Sequence, residues 1–259
     1  MTDLNKSYTL TLIGELMKDH LLDIVQHTHG LGVIDLVKIV GTDTETKLEA
    51  IAEDRSVILQ AKFKGVVGEF VGTFGMPNLG KLNTILNIPE YKEDAAITVN
   101  RQNKEDESVP VGVHFENKAG DFKNDYRFMA AEIVNDKLKT VRMKAVNWNV
   151  DIVPAAVNIQ RLKFQASANS EENNFLAKTE NGDLKFYFGD HSSHAGNFVF
   201  AQGVSGKLTK SWAWPVAVVI SILSLPGDKT FKISDEGAAM ITVDSGIAEY
   251  NYILPAQTK

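Results

Sequence analysis

The sequence predicts an α+β protein built as two similar domains, each with two helices laid on antiparallel sheets. Three observations carry this expectation. Each half of the chain reads helix, strands, helix, strands in the same order. A matched junction recurs in the two halves: LNTILNIPEYKEDAAITVN (Leu82 to Asn100) and VISILSLPGDKTFKISDEG (Val219 to Gly237) both run from an apolar helix, through Ile-Leu-x-Ile/Leu-Pro, into a polar turn and a β-rich segment. Finally, 44% hydrophobic and 23% charged residues over 259 positions is the composition of a globular chain long enough to bury two cores.

In the first half, Ile13, Leu16, Met17, Leu21, Ile24 and Val25 recur at helical spacing among Glu15, Lys18, Asp19 and Gln26. They predict a helix over 11–28, ended by Gly30 and Gly32. Strands follow at 33–40, 47–52, 56–63 and 69–74, rich in Val, Ile and Phe and separated by turn residues. Gly65, Gly68, Gly72 and Gly75 are interleaved with Val and Phe and read as strand and bulge. A second helix is expected over 77–87, with Pro77 in its first turn, Leu79, Leu82, Ile85 and Leu86 on its apolar stripe, and Pro89 closing it. Strands are expected at 95–100, 111–116 and 125–131, with 102–108 a charged loop.

The segment 136–152 reads as an extended basic connector, Lys137, Lys139, Arg142 and Lys144 alternating with Leu138, Val141, Met143, Val146, Trp148 and Val150. It divides the chain into domains 1–135 and 153–259. The second half restarts with a helix over 157–168 behind Pro154 and strands at 174–178, 184–189 and 197–202. A short helix over 215–223 is closed by Pro226, and strands at 230–234, 238–243 and 249–254 end the pattern.

Several function classes fall away. The chain has no cysteine, which removes disulfides, thiolate nucleophiles and Cys-based metal sites. No GxSxG, P-loop or dinucleotide glycine fingerprint is present, so no enzyme is expected. His27 and His29, and Asp190 with His191 and His194, are the only seeds of a metal site; they read as exposed loop histidines, and no metal or cofactor is expected. Trp212-Ala-Trp214-Pro215 reads as a packing element at a helix entry rather than a base platform. The apolar run 212–225 is too short and too interrupted to span a bilayer, and Met1 to Leu10 has no apolar signal core, so a cytoplasmic protein without a membrane partner is expected. A net charge of −6, from 27 basic and 33 acidic residues, argues against gripping nucleic acid by bulk charge. It leaves room for positive charge confined to one surface.

Three stretches carry a resemblance to a known family. GMPNLGKLNTILNIPEYKEDAAITV (Gly75 to Val99) is similar to the second helix and following strand of the DNA sliding clamps, in particular the polymerase clamps of T-even-like bacteriophages. GIAEYNYILPA (Gly246 to Ala256) resembles their terminal strand, and LMKDHLLDIVQHTHGLGV (Leu16 to Val33) their first helix and turn. The order of elements extends the resemblance over nearly the whole chain.

The resemblance implies the DNA clamp fold and a non-enzymatic processivity factor: a ring of six similar domains around duplex DNA, hence a homotrimer of two-domain chains. It implies a replicative DNA polymerase and an ATP-dependent clamp loader as partners, a role in late transcription, and, for a phage protein, the host cytoplasm. Sparse basic residues on or beside the helices would face the DNA: Lys18, His20 and Lys81 in the first half, Arg161, Lys163, Lys207 and Lys210 in the second. A pocket for partner peptides would be lined by Val141, Met143 and Val146 of the connector and by Tyr252, Leu254 and Pro255 near the end. Edge strands near 56–63 and 197–202 would pair between subunits. A virion-type structural protein of mixed α+β fold is the alternative that shares the missing catalytic motifs.

Overall fold

The computed structural model describes residues 16–104, 107–139, 144–190 and 194–257. The chain divides into two compact units, residues 1–53 with 60–140, and residues 54–59 with 141–259.

The first unit opens with helix α1 (16–27), which buries Met17, Leu21, Ile24 and Val25 along one stripe. Strands β1 (Leu36–Gly41), β2 (Thr46–Ile51), β3 (Ile58–Phe63) and β4 (Gly72–Pro77) follow in the sheet order β4-β1-β2-β3, with β1 antiparallel to both β2 and β4. Helix α2 (Leu79–Leu86) follows, burying the four predicted apolar positions Leu79, Leu82, Ile85 and Leu86. Pro77 lies in β4, not in the helix; the chain turns at Asn78, whose φ of 53° lets the strand pass directly into the helix.

Strands β5 (Ala96–Lys104), β6 (Glu107–Glu116) and β7 (Lys123–Arg127) make a second antiparallel sheet in that order. The charged stretch 102–108, expected as a loop, largely extends this hairpin, with Asn103 opposite Ser108 and Lys104 opposite Glu107. Its backbone ladder needs no apolar side chains, and Arg101 ties the hairpin down by donating to the carbonyls of Glu69 (2.9 Å) and Val71 (2.8 Å). The rings of Phe74 and Phe128 stack with centroids 4.3 Å apart, joining the two sheets of the unit.

The expected connector is not wholly extended, because helix α3 (Ala131–Lys137) occupies its first residues. It lies on a row running across three strands: Gly75 pairs with Lys38, and Lys38 pairs with Glu49. Gly75 has no side chain because Val134 sits there; a Cβ would fall 2.8 Å from the Val134 Cγ2. Beside it the Lys38 ammonium, only 4% exposed, pairs with the Glu49 carboxylate at 2.6 Å and reaches the Leu138 carbonyl at 3.4 Å. A buried lysine thus holds the C-terminal end of α3 on the sheet.

The second unit contains β8 (Val150–Ile152), α4 (Ala156–Ala168), β9 (Asn174–Glu180), β10 (Asp183–Phe188), β11 (Gly196–Ala201), β12 (Ala213–Pro215), α5 (Val216–Ser224), β13 (Asp228–Ile233), β14 (Ala238–Asp244) and β15 (Ala248–Pro255). One sheet runs β11-β10-β9-β12; β15, β14, β13 and β8 form the other array. Alternation places Phe175, Phe186, Phe188, Phe198, Phe200 and Phe231 inside. Phe186 stacks on Phe200 at 4.4 Å and meets Phe231 across the core at 6.3 Å. Trp214 is fully buried, while Trp212 donates its indole N–H to the Asp235 carbonyl at 2.9 Å. Among the described residues no helix is long and apolar enough to cross a membrane.

Two stability measurements follow. The Trp214 indole nitrogen has no hydrogen-bond partner. Trp214→Ala is expected to cost about 3–5 kcal/mol in urea unfolding. Trp214→Phe should cost well under half of that, because the part removed includes a buried N–H that gains nothing. Equal losses would show that the indole nitrogen is held after all. At the second site, Glu49→Ala strips the carboxylate from a buried ammonium and should destabilise toward the low end of ~3–5 kcal/mol, since Glu49 itself is one-quarter exposed. Lys38→Met, which removes the buried charge, should cost less.

Candidate nucleic-acid interface and docking surfaces

The cations expected to face DNA have different surroundings. On α1 the Lys18 ammonium is held by the carbonyls of Tyr91 and Lys92 (3.2 Å), capping the turn over 89–92. His20 is half-buried with its ring 5.7 Å from that of Phe63, and burial pushes its pKa down. Partial burial against Phe63 makes it a packing residue of this unit, which counts against its reading as a phosphate-facing cation. Lys81, in the first turn of α2, is exposed.

In the second unit α4 and α5 pack side by side, and Lys163 borders the shallow groove between them with Ala166, Ser167, Ala217 and Ile220. Arg161 points elsewhere: its guanidinium lies 5.3 Å from the centre of the Phe198 ring and donates to the Val199 carbonyl at 3.2 Å, on strand β11. Lys207 and Lys210 are exposed on the loop between β11 and β12, ahead of helix α5. That loop is shaped by Asp235, whose carboxylate accepts from the backbone N–H of Thr209 (3.0 Å) and of Lys210 (3.1 Å), and the Lys210 ammonium sits over Trp212. These hydrogen bonds hold the Asp235 pKa down against the effect of burial, which is the larger single influence and acts upward. Helix α5, VAVVISILS, carries no charge at all.

The expected peptide pocket also divides. Val141 and Met143 lie outside the described residues. Val146 is half-buried and Pro255 exposed. Tyr252 and Leu254 are fully buried, which corrects their assignment as pocket lining. The period of two along β15 puts Tyr250, Tyr252 and Leu254 on one inward face, where Tyr250 and Tyr252 stack 6.4 Å apart. The chain beyond β15 turns back onto β12, with the Gln257 N–H donating to the Ala213 carbonyl at 2.9 Å.

The metal seeds do not converge. His27 is not an exposed loop residue: it ends α1, is 1% exposed, and its Nδ1 lies 2.9 Å from the Asp23 carbonyl oxygen. His29 is partly exposed, with Nδ1 3.9 Å from the Asp35 carboxylate. His191 lies outside the described residues. Among the described residues no group of three His, Asp or Glu side chains could hold a metal ion.

Two strands lie at sheet edges: β7, which the sequence does not single out, and β11, which covers most of the expected edge strand 197–202. In β7, the Phe128 N–H bonds the Val111 carbonyl and the Asn117 N–H bonds that of Phe122. Even-numbered residues therefore face β6, and the backbone groups of Lys123, Asp125 and Arg127 face away from it. In the second unit, β9 and β10 join through Asn181 (φ 52°) and Gly182 (φ 83°), a two-residue turn that makes Glu180 and Asp183 a hydrogen-bonded pair. Asp183, Lys185 and Tyr187 thus bond β9, while Phe186 and Phe188 bond Phe198 and Gly196 of β11. The backbone groups of Asn197 and Val199 are left on the outer edge of that sheet.

On the surface beside β7, His114 Nδ1 contacts the Asp125 carboxylate at 2.9 Å and Nε2 lies 3.4 Å from Glu116, which also pairs with Lys123 at 3.2 Å. The Asp125 hydrogen bond raises the His114 pKa. A raised folded value means this contribution is complete below the unfolded pKa near 6.5 and is lost as pH rises through the folded value. The urea midpoint should therefore carry a decrease over that window which His114→Gln removes. An unchanged profile in that variant would assign the decrease elsewhere.

No family model matches the sequence, and no curated protein matches it. Solved structures do match. PCNA of A. fulgidus, solved with the C-terminal region of FEN-1 bound, is similar with a TM-score of 0.64 and 11% identity, over 95% of this chain and 96% of that one. PCNA from Thermococcus kodakaraensis gives a TM-score of 0.64 and 12% identity, over 92% of this chain and 97% of that one. With its antiparallel sheets, its few helices and this likeness over almost its full length, the chain has the sliding-clamp fold of PCNA.

Proposed function

We propose that this chain is the subunit of a DNA sliding clamp, a non-enzymatic ring that encircles duplex DNA and tethers a replicative polymerase. The observation that carries the proposal is the clamp fold over 95% of the chain. A ring holds DNA by topology, so strong phosphate contacts are unnecessary and would slow sliding. A net acidic chain suits that mode: Lys81, Lys163, Lys207 and Lys210 are the positions we assign to the DNA, with Lys18 and His20 engaged in packing and Arg161 directed to a strand edge.

Two units per chain favour three chains per six-unit ring. We propose the open edge of β7 and that of β11 as the strands that pair between copies, with β7 in place of 56–63. Such head-to-tail contacts close into a ring under cyclic symmetry. The partner-peptide surface is proposed around Val146 and Pro255 together with Val141 and Met143. An ATP-dependent loader, a place in a T-even-like phage replisome within host cytoplasm, and a part in late transcription rest on the sequence resemblance at 75–99 and 246–256.

The test combines mass and topology. Light scattering over a dilution series should give a mass of three chains. Protein loaded on nicked circular DNA should stay bound through a high-salt wash and be lost after linearisation. Equal loss from circular and linear DNA would overturn the ring and favour a structural protein of the same fold.

A further inference from the structure

The outer edge of β11 is not bare in the single chain. The Val199 carbonyl accepts from Arg161 Nη1 at 3.2 Å, and the Asn197 carbonyl lies 3.5 Å from Gln165 Nε2. These are the two carbonyls that the β9–β10 turn leaves facing away from the sheet. Arg161 and Gln165 are one helical turn apart on α4, matching two acceptors two residues apart on the strand.

The arrangement is built rather than incidental. Phe198 supports the guanidinium from below. Asn158 offers the same nitrogen a second acceptor at 3.3 Å. Asn169, itself buried, donates to Gln165 Oε1 at 3.1 Å, which orients the amide so that its NH2 faces the strand. Gly196 leaves the space: a Cβ there would fall 2.4 Å from Gln165 Oε1. Val157 and Phe164, four and three residues either side of Arg161, are 65% and 63% exposed, so an uncovered apolar stripe borders the same edge.

We propose that Arg161, seconded by Gln165, is a removable self-cap on the β11 edge, whose intended occupant is the β7 edge of a second copy of this chain. The inference rests on the edge pairing described under Proposed function and adds a competitor to it. An open edge invites indiscriminate strand addition. In the separate chain Arg161 occupies the acceptor and suppresses that; on assembly the backbone N–H groups of Lys123, Asp125 or Arg127 replace it. The lengths suit, five residues in β7 against six in β11, and Phe122, 40% exposed at the start of β7, is available to cover the stripe of Val157 and Phe164.

The cap is tested on the full chain by sedimentation over a dilution series, comparing the unaltered protein with Arg161→Gln, which keeps the stem on Phe198, with the double variant Arg161→Gln/Gln165→Ala, and with Gln160→Ala as a control on the same helix. Removing a competing hydrogen bond should lower the concentration for half-assembly about three- to tenfold in the first two and leave the control unchanged. A half-assembly concentration that stays the same or rises in both overturns the cap and leaves the ring standing. Absence of assembly in every protein at every concentration overturns the cap together with the edge pairing beneath it.

Discussion

Antiparallel sheets with one aromatic face must hide that face from water, and each unit is arranged around this requirement. In the second unit six phenylalanines from β9, β10, β11 and β13 meet in one core, with α5, a helix lacking any charged residue, among the buried elements. In the first unit Phe70, Phe74, Phe115 and Tyr126 play the same part, and the Tyr126 hydroxyl donates to the Pro77 carbonyl. Once those faces are buried, what remains available is edges, loops and the outward sides of helices. The candidate surfaces lie there because nothing else is left.

Charge is placed with the same economy. Lys38 is buried, but its carboxylate partner and the Leu138 carbonyl make it an anchor for α3 on the β4-β1-β2 row. Lys18 caps a turn, and Arg161 caps a strand. Each of these cations looks, in sequence, like a solvent-facing helix or strand charge. Their engagement takes these three cations out of the exposed positive charge of the chain.

Periodicity was informative where a side chain's direction follows from local geometry. Leu79, Leu82, Ile85 and Leu86 fall on the buried stripe of α2 as their spacing predicts, and alternation along 174–188 places Phe175, Phe186 and Phe188 inside. The same local reasoning failed at 102–108, where charged residues extend a hairpin because backbone pairing is indifferent to their side chains. The expectation at Tyr252 and Leu254 failed for another reason. There the family resemblance implied pocket lining, whereas the alternation of β15 puts both side chains in the interior. The histidine pair at 27 and 29 is split because α1 runs on to residue 27, burying one ring and leaving the other partly exposed.

By itself, then, the sequence determined the α+β class, the doubled order of helices and strands, the helix stripes and the lack of catalytic motifs, since these depend on residue types at short, regular spacings. The tertiary structure alone decided that β7 rather than 56–63 lies at an edge, which cations are already engaged, and that Tyr252 and Leu254 are core. Those properties depend on contacts between residues far apart in the chain: Lys18 with Tyr91, Lys38 with Leu138, Arg161 with Val199. No local spacing encodes such a pair, because the partner of each side chain is chosen by how the sheets stack and not by what stands next to it.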